Sequence, residues 1–324
     1  MKKFEEYLSG IRSLAVTGHV NPDGDATGAV LAVWNYMKEN HPEIRTDVYL
    51  EAPAKELMFL PGSGEIRHEA LSDVSYDLFM ICDCSTLDRI EPFVSLYNTA
   101  GRKLCVDHHK SNEGDFADDN EVYPNASSTC EVLYDLMGTE NIGHDTAECL
   151  YTGIVHDTGV FKYSSTSRHT MEAAGDLMSR GLDTTSIIDN SFYSKTYIQN
   201  QILGRALLES VVFFNGKCIF SVIPKSVMEF YGVTGGDLSG IIEQLRLTEG
   251  VEVAIFLYET DDGVYKVSLR SKKYIDVSDI AKAYGGGGHA RAAGFSATGR
   301  SRGIINEISA MIEKQYESLG AEAQ

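Results

Sequence analysis

Short apolar runs alternate with helical patterns in the first half of the chain. Four of these runs are predicted to be buried strands: residues 14–20, 46–51, 76–82 and 103–106. Helical spacing or a capping box predicts helices at about residues 26–40, 132–137, 145–155 and 168–180. Apolar strands that alternate with helices are typical of a parallel sheet. We therefore predict an α/β fold with a doubly wound, mostly parallel sheet over residues 1–186.

The pattern changes after about Val211. The next apolar runs alternate with polar positions as antiparallel strands do, at residues 211–214, 217–223, 252–259 and 264–271. Thr260–Gly263 is a predicted hairpin turn between the last two of them. A predicted helix at 278–284 then leads into a run of four glycines. This half is predicted to be a smaller α+β domain over residues 211–324, after a helical connector at 187–210.

Composition and charge narrow the classes of protein that fit. The 324 residues contain no stretch near the roughly 20 apolar residues of a membrane span, and no apolar signal core follows the first residues. Six scattered cysteines are typical of reduced thiols, so we expect a cytoplasmic protein without a membrane segment. A net charge of −19 argues against binding of long duplex nucleic acid, although a small anionic substrate remains compatible with a local cation.

Acids and histidines cluster in four short segments beside the predicted apolar elements. These segments are Gly18–Asp25, Cys82–Cys84, Asp107–His109 and His156–Thr158. In an open α/β sheet, ligands bind beyond the carboxyl ends of the strands. We therefore expect the side chains of these sequence-distant segments to meet at one edge of the sheet.

Each segment taken separately has an ordinary structural explanation. Asn21-Pro22-Asp23-Gly24 is a plausible turn, Asp83 could cap a strand, and His156–Thr158 could end a helix. These explanations do not account for all four segments together, because clustered carboxylates repel one another and are costly to bury. Aspartate and histidine ligands favour Mn²⁺, Mg²⁺, Fe²⁺ or Co²⁺. Two such ions about 3.5–4 Å apart stabilise the in-line displacement of a phosphoester.

The glycine run Gly285–Gly288 has two open interpretations. It could be a hinge or a helix stop. It could also present backbone N–H groups to a phosphate, with His289, Arg291 and the nearby Arg270 as further donors. We favour contact with a phosphate or a nucleotide because these basic residues surround the run.

The ordered combination of these motifs resembles one known family. Gly18–Asp25, Asp83, Asp107-His108-His109, Asp157-Thr158-Gly159 and Gly285–His289 together resemble the DHH/DHHA1 phosphoesterases over nearly the whole chain. Within that superfamily, the chain is similar to the oligoribonuclease (nanoRNase)/pAp phosphatase branch. The resemblance implies a two-domain enzyme with two divalent cations, most often Mn²⁺, and an active site in the cleft between the domains.

The resemblance also implies a role for individual residues. One Mn²⁺ would be held by His19, Asp23 and Asp83, and the other by Asp25, Asp83, His108 and Asp157. His109 would contact the scissile phosphate, and Asp107 would orient the histidines. The residues implied for binding the nucleotide lie in the C-terminal domain: Arg270, Ser271, Gly286, Gly287, Gly288, His289 and Arg291.

The implied activity is hydrolysis of short single-stranded RNA of two to five nucleotides, removal of the 3′-phosphate of the nucleoside bisphosphate pAp, or both. A homodimer is implied as well. Three alternatives stay open: a phosphodiesterase for linear or cyclic dinucleotides, a single-strand exonuclease or polyphosphate or pyrophosphate hydrolase, and a non-catalytic nucleotide-binding protein. A substrate panel with Mn²⁺ and with chelator distinguishes them.

Overall fold

The computed structural model describes residues 2–322. The chain divides into two compact units, of which one runs to Ser194 and the other starts at Lys195. The predicted domain boundaries at residues 186 and 211 lie on either side of this division and stay a prediction.

The N-terminal unit contains a six-stranded sheet. Its strands are β1 (Ser13–Thr17), β2 (Arg45–Tyr49), β3 (Ile66–Arg67), β4 (Leu78–Cys82), β5 (Arg102–Asp107) and β6 (Asp119–Val122). Every neighbouring pair is parallel, in the order β3-β2-β1-β4-β5-β6, which confirms the predicted parallel sheet. From β1 the chain adds β2 and β3 on one side and then β4 to β6 on the other, so the strand order reverses between β1 and β4. Open α/β sheets bind their ligands at this kind of switch point. The sequence did not predict β3 and β6, because both are short and β6 is mostly polar.

Helices cover both faces of this sheet. They are α1 (Phe4–Leu8), α2 (Gly24–Asn40), α3 (Val94–Thr99), α4 (Thr129–Met137), α5 (His144–Asp157), α6 (Arg168–Met178) and α7 (Thr184–Ile188). In β1, Leu14 and Val16 belong to one apolar core, whereas Ala15 between them belongs to a second core that includes Phe93. Successive strand residues point to opposite faces, so both faces of the sheet are buried and the doubly wound prediction is confirmed.

The helices α2 and α5 pack unusually closely, and this packing brings their polar residues together. A Cβ atom at Gly24 would overlap the ring of His156, and one at Gly28 would lie 2.6 Å from the carbonyl oxygen of Cys149. Glycine is therefore required at both positions for the two helix axes to come this close. Asp25 near the start of α2 thereby lies beside Gly153 of α5.

The predicted capping box at the start of α4 is correct in one half. Ser128 caps the helix and its Oγ accepts from the backbone N–H of Glu131, at 3.0 Å. The Glu131 carboxylate does not return to the N–H of Ser128. It accepts instead from the N–H of Ser127, at 3.3 Å, and from the hydroxyl of Thr170, at 2.7 Å. The bond from Thr170 joins α4 to α6.

The C-terminal unit contains a second six-stranded sheet and its helices. The elements are α8 (Tyr197–Leu208), β7 (Val211–Phe213), β8 (Cys218–Ile223), α9 (Lys225–Tyr231), α10 (Ile241–Arg246), β9 (Val253–Asp261), β10 (Val264–Ser271), α11 (Val277–Ala283), β11 (Gly287–His289), β12 (Ala292–Thr298) and α12 (Ser301–Glu322). The strand order is β11-β12-β10-β9-β8-β7. Together with α7 and a π-helical turn at Asp189–Tyr193, α8 makes the predicted connector helical.

Two features of this sheet differ from the sequence pattern: the direction in which β8 and β9 pair, and the conformation of the glycine run. β8 and β9 are parallel, because α9 and α10 form a crossover between them, so the sheet is mixed. The hairpin between β9 and β10 forms as predicted and turns at Gly263, whose φ is +70°. The glycine run is not a loop throughout, since Gly287–His289 forms the edge strand β11 against β12.

The cysteines agree with the prediction of reduced thiols. All six are buried and free. Across residues 2–322, none of the helices has the length and apolar character needed to cross a bilayer.

Candidate metal centre

The carboxyl edge of the first sheet gathers the predicted ligands. His19 follows β1, Asp83 follows β4 directly, and Asp107 is the last residue of β5, with His108 and His109 behind it. The two adjoining helices add the remaining acids: Asp23 caps α2, Asp25 is in its first turn, and Asp157 is the last residue of α5.

Three overlapping triads of metal-ligand type form at this edge. In each triad the ligand atoms lie within 4.8 Å of one another: His19, Asp23 and Asp83; Asp25, His108 and Asp157; Asp83, His108 and His109. The two carboxylate oxygens of Asp83 face different histidines. Its Oδ2 is 3.5 Å from His19 Nε2, and its Oδ1 is 3.6 Å from His108 Nε2. Asp83 is thus placed to share its carboxylate between two cations.

Asp25 is the most deeply buried acid of the group. It has no exposed surface, and its two oxygens accept from the backbone N–H groups of Thr129, at 2.6 Å, and Cys130, at 3.0 Å. The Thr129 hydroxyl also donates to Asp83 Oδ1 at 3.0 Å. The start of α4 therefore positions two of the predicted ligands at once. Thr129 and Cys130 were not among the predicted site residues, although the Ser128 cap places their N–H groups at a helix start, where they have no partner within the helix.

The backbone at Asp83 is in the left-handed region, with φ of +56°. Aspartate tolerates this region better than most residues, but it remains uncommon outside glycine. The N–H of Asp83 donates to the carbonyl of Val106 at 3.0 Å, so β5 holds the turn in place. Backbone strain of this kind persists where the surrounding structure fixes it, often at functional sites.

Asp107 contacts both of the histidines that follow it. Its Oδ1 accepts from the backbone N–H of His108, at 2.8 Å, and lies 2.7 Å from Nδ1 of His109. Its Oδ2 accepts from the side-chain amide of Asn112, also at 2.8 Å. Asn112 additionally donates to the carbonyl of Cys84 and so joins the segment after β5 to the one after β4. Asn112 could not be recognised in the sequence, since an isolated asparagine in a loop resembles a turn residue.

The pKa shifts report a strong local affinity for positive charge. Burial lowers the pKa of His19, but hydrogen bonds to Asp23 and Asp83 outweigh it and raise that pKa to about 10. Burial also lowers the pKa of His108, but the hydrogen bond to Asp157 outweighs burial and raises that pKa to about 10. Burial and the charge of Asp83 raise the pKa of Asp25. Such a field attracts protons and divalent cations alike.

Arg89 is a further basic residue at this site and was not among the predicted site residues. Its Nη2 donates to the carbonyl of Val20 at 3.2 Å and lies 2.9 Å from Nδ1 of His19. Its own carbonyl accepts from the N–H of Val20, at 2.8 Å. Nδ1 of His19 is also 2.8 Å from the carbonyl of Val20, which leaves Nε2 directed at Asp83. Arg89 therefore fixes the backbone that orients this imidazole.

Arg89→Ala is expected to lower the affinity for a divalent cation by about 10- to 100-fold, the usual cost of losing a residue that orients a metal ligand. Calorimetric titration of the variant with Mn²⁺ measures this loss. Arg89→Lys keeps the positive charge without the planar guanidinium group, and its affinity for Mn²⁺ is expected to lie between those of the wild type and Arg89→Ala. Arg168→Ala is the control, because Arg168 is 91% exposed and pairs with Glu172 at the surface. An unchanged affinity in Arg89→Ala would contradict the assigned role.

The residues predicted to bind the nucleotide lie in the C-terminal unit and share one end of its sheet. In the sheet register Arg270 and His289 both pair with Ala292, and Arg291 precedes it. Their side chains differ in availability. Arg270 donates to Glu243 at 2.8 Å, and Arg291 donates to the carbonyl of Ile275 at 2.7 Å. Ser271 is buried and donates to the same carbonyl, at 2.7 Å, so its hydroxyl has a structural partner.

The glycines of the run do not all have the same reason to be glycine. A Cβ atom at Gly286 would lie 2.5 Å from that of Phe295, and one at Gly288 would lie 2.5 Å from the Cα of Ala293. Close backbone packing therefore requires both. A Cβ atom at Gly287 would meet nothing within 4 Å. The structure leaves open space at Gly287 on an edge strand, which is where a ligand can approach the backbone.

A parallel sheet whose carboxyl edge gathers overlapping aspartate and histidine triads defines the class, a metal-dependent hydrolase. The DHH family N-terminal domain matches residues 13–154, and the DHHA1 domain matches residues 215–318. The chain therefore contains the two domains that define the DHH/DHHA1 phosphoesterases.

Known relatives extend over most of the chain. The Bacillus subtilis protein named bifunctional oligoribonuclease and PAP phosphatase NrnA is 28% identical, covering 86% of this chain and 87% of its own length. The Thermus thermophilus protein of the same name is also 28% identical, covering 92% and 89%. A crystal structure described as an exopolyphosphatase-related protein from Bacteroides fragilis superposes with a TM-score of 0.84 at 27% identity, covering 98% and 96%.

Proposed function

We propose that the protein hydrolyses short oligoribonucleotides to mononucleotides and removes the 3′-phosphate of pAp, with two Mn²⁺ ions as cofactor. The observation that carries this proposal is the position of Asp83, whose two oxygens face His19 and His108 in neighbouring triads. The names of the Bacillus and Thermus relatives support the choice of substrate.

The proposed ligand sets follow the triads. His19, Asp23 and Asp83 would hold one ion, and Asp25, Asp83, His108 and Asp157 would hold the other. When bound, such a pair activates water and stabilises the charge on the entering and leaving oxygens of the phosphoester. The donor set fits this cofactor, because it consists of carboxylates and imidazoles without a thiolate ligand.

We assign His109 to the phosphate. Its Nδ1–H donates to Asp107 at 2.7 Å, and this hydrogen bond raises the pKa of His109. The imidazolium form that it favours has a second donor at Nε2, and the side chain is 35% exposed. An imidazole held in this way can donate a hydrogen bond to a non-bridging phosphate oxygen without reorganising. Asp107 keeps the ring oriented, and Asn112 keeps Asp107 oriented. Asp107 is thus proposed as a positioning residue for the reaction.

The C-terminal unit is proposed to bind the nucleotide through His289, Arg291, Arg270 and the backbone of Gly286–Gly288. His289 is exposed on the edge strand β11, and the space at Gly287 admits a ligand. Arg270 is held by Glu243 and is proposed to act from that fixed position. The hydroxyl of Ser271 donates to the carbonyl of Ile275, so Ser271 is proposed to support this end of the sheet and not to contact the substrate through that hydroxyl.

A second candidate function is hydrolysis of polyphosphate, which the description of the Bacteroides fragilis structure suggests. The proposed two-ion site would suit a phosphoanhydride as well as a phosphoester. Linear and cyclic dinucleotides would use the same donors. The base and the ribose are what distinguish these substrates, and the polyphosphate candidate requires neither.

A substrate panel tests the proposed function. The protein is assayed on pApA, pAp, cyclic di-AMP, pyrophosphate and polyphosphate, with Mn²⁺ and with EDTA. We expect the highest kcat/KM on pApA or pAp and no turnover in EDTA. Turnover of polyphosphate or pyrophosphate without hydrolysis of pApA and pAp would reject the proposal in favour of the second candidate.

The cell compartment and the assembly state belong to the proposal as well. Six free cysteines suit the reducing cytoplasm, which is where we propose that the protein acts. The homodimer that the family resemblance implies stays a prediction, and sedimentation equilibrium measures it directly.

A further inference from the structure

The chain makes a left-handed turn directly after Asp157, the ligand that ends α5. Gly159, Val160 and Phe161 have φ values of +56°, +58° and +61° in succession. Glycine adopts this region freely, but a β-branched residue such as Val160 is a genuine outlier there. A glycine alone is sufficient to end a helix. The two strained residues that follow it therefore need another explanation.

The turn is fixed by hydrogen bonds to the end of α5. The N–H of Val160 donates to the carbonyl of Val155 at 2.8 Å, and that of Phe161 donates to the hydroxyl of Thr158 at 2.9 Å. The carbonyl of Thr158 accepts from the N–H of both Lys162 and Tyr163, each at 2.9 Å. Thr158 itself is completely buried. The strained conformation is therefore a single rigid arrangement and not a loose end.

What this arrangement places is the ring of Tyr163. The ring lies against Gly159, where a Cβ atom would be 2.6 and 2.8 Å from Cε2 and Cε1. Tyr163 nevertheless stays 50% exposed. An exposed tyrosine is unremarkable by itself. This one differs, because its ring is seated on a glycine that lies two residues after Asp157.

The glycine against which the ring packs is near Asp157 of the metal centre. Asp157 Oδ2 is 3.0 Å from His108 Nε2, within one of the ligand triads. Consecutive Cα atoms are about 3.8 Å apart, so the Cα of Gly159 lies no more than about 7.6 Å from that of Asp157. Strained backbone next to a site is often a means of placing a ligand-binding group. A half-exposed aromatic face on a turn that follows Asp157 suits a planar ligand.

We propose that Tyr163 is a stacking surface for the nucleobase next to the scissile phosphate, an inference that rests on the proposed function. Aromatic side chains bind single-stranded nucleic acid in this way without base specificity, since every base has a π-face. Stacking on Tyr163 distinguishes a nucleotide substrate from polyphosphate, which the metal ligands do not. Lys162, the exposed residue before Tyr163, adds a positive charge on the same turn.

The test compares Tyr163 variants on pApA and on abasic analogues that lack the adenine of the 5′ or the 3′ nucleotide. Tyr163→Ala and Tyr163→Leu are expected to raise KM for pApA by about 10- to 100-fold, with kcat nearly unchanged. Tyr163→Phe is expected to match the wild type. On the analogue that lacks the stacked base, all four proteins are expected to share one KM. That analogue identifies which base Tyr163 binds.

The controls separate stacking from a structural role. Phe230→Ala removes a 79% exposed aromatic ring from the C-terminal unit and is expected to leave KM unchanged. Wild-type KM for pApA in Tyr163→Leu would overturn the proposal, and so would an equal loss on pApA and on both abasic analogues. If the wild type itself does not hydrolyse pApA, the proposed function fails first, and the two failures are thereby distinguished.

Discussion

Asp83→Asn is expected to abolish hydrolysis and the binding of divalent cations together. The Asp83 oxygens face His19 and His108 in two triads, so one substitution weakens both proposed ion sites. The loss of kcat should exceed the roughly 10- to 100-fold that losing an outer partner costs. Asparagine is the suitable replacement, because it tolerates the left-handed φ at this position and still accepts from the Thr129 hydroxyl.

Thermal unfolding of the same variant distinguishes loss of ligation from misfolding. In EDTA, Asp83→Asn is expected to unfold with a Tm near that of the wild type, because relief of the repulsion with Asp25 offsets the lost attraction to the charged His19. Added Mn²⁺ should raise the Tm of the wild type and leave that of the variant nearly unchanged. Asp88→Asn, an exposed acid on the same segment, is the matched control. Turnover near the wild-type level in Asp83→Asn would refute the bridging role.

Gly153→Ala is expected to disturb the site through the packing of α5, although Gly153 is not one of the proposed ligands. A Cβ atom at this position would lie 2.7 Å from Asp25 Oδ1 and would overlap Cys130 Sγ. Asp25 and the start of α4 must then move apart, which disturbs the bonds from Thr129 and Cys130 to Asp25. Overpacking of this kind costs about 1–3 kcal/mol of unfolding free energy. We expect that loss in chemical denaturation, together with a weaker affinity for Mn²⁺.

Gly175→Ala is the matched control, since Gly175 is also inside a helix of the N-terminal unit. A Cβ atom at Gly175 would meet nothing within 4 Å. Alanine has the higher helix propensity, so this variant should gain up to about 1 kcal/mol and bind Mn²⁺ normally. Equal stability and equal affinity in the two variants would show that the closeness of α2, α4 and α5 does not position Asp25.

Much of the fold could be predicted because its core strands are apolar runs that belong to a buried parallel sheet. β4 (Leu78–Cys82) is an example, since all of its residues are buried. β6 could not be recognised in this way, because Asp119-Asn120-Glu121-Val122 has no apolar run and joins the sheet through its backbone. The parallel pairing of β8 and β9 was also missed, since alternation shows a half-buried strand and not its direction.

The candidate site divides in the same way. The gathering of residues such as Asp83 and His108 at one edge could be predicted, because acids and histidines at the ends of apolar strands have no packing role there. The residues that hold these ligands could not be predicted. Arg89 and Asn112 reach the site by chain folding, and neither belongs to a motif. Gly153 shows the same limit, since its role depends on Asp25, which lies far away in the sequence.

Calorimetric titration of the metal-free protein with Mn²⁺ tests the central claim most directly, because it counts the sites. The overlapping triads around Asp83 predict two ions for each wild-type chain and a loss of binding at both sites in Asp83→Asn. A single Mn²⁺ for each wild-type chain, or two ions still bound by Asp83→Asn with unchanged affinity, would contradict the account.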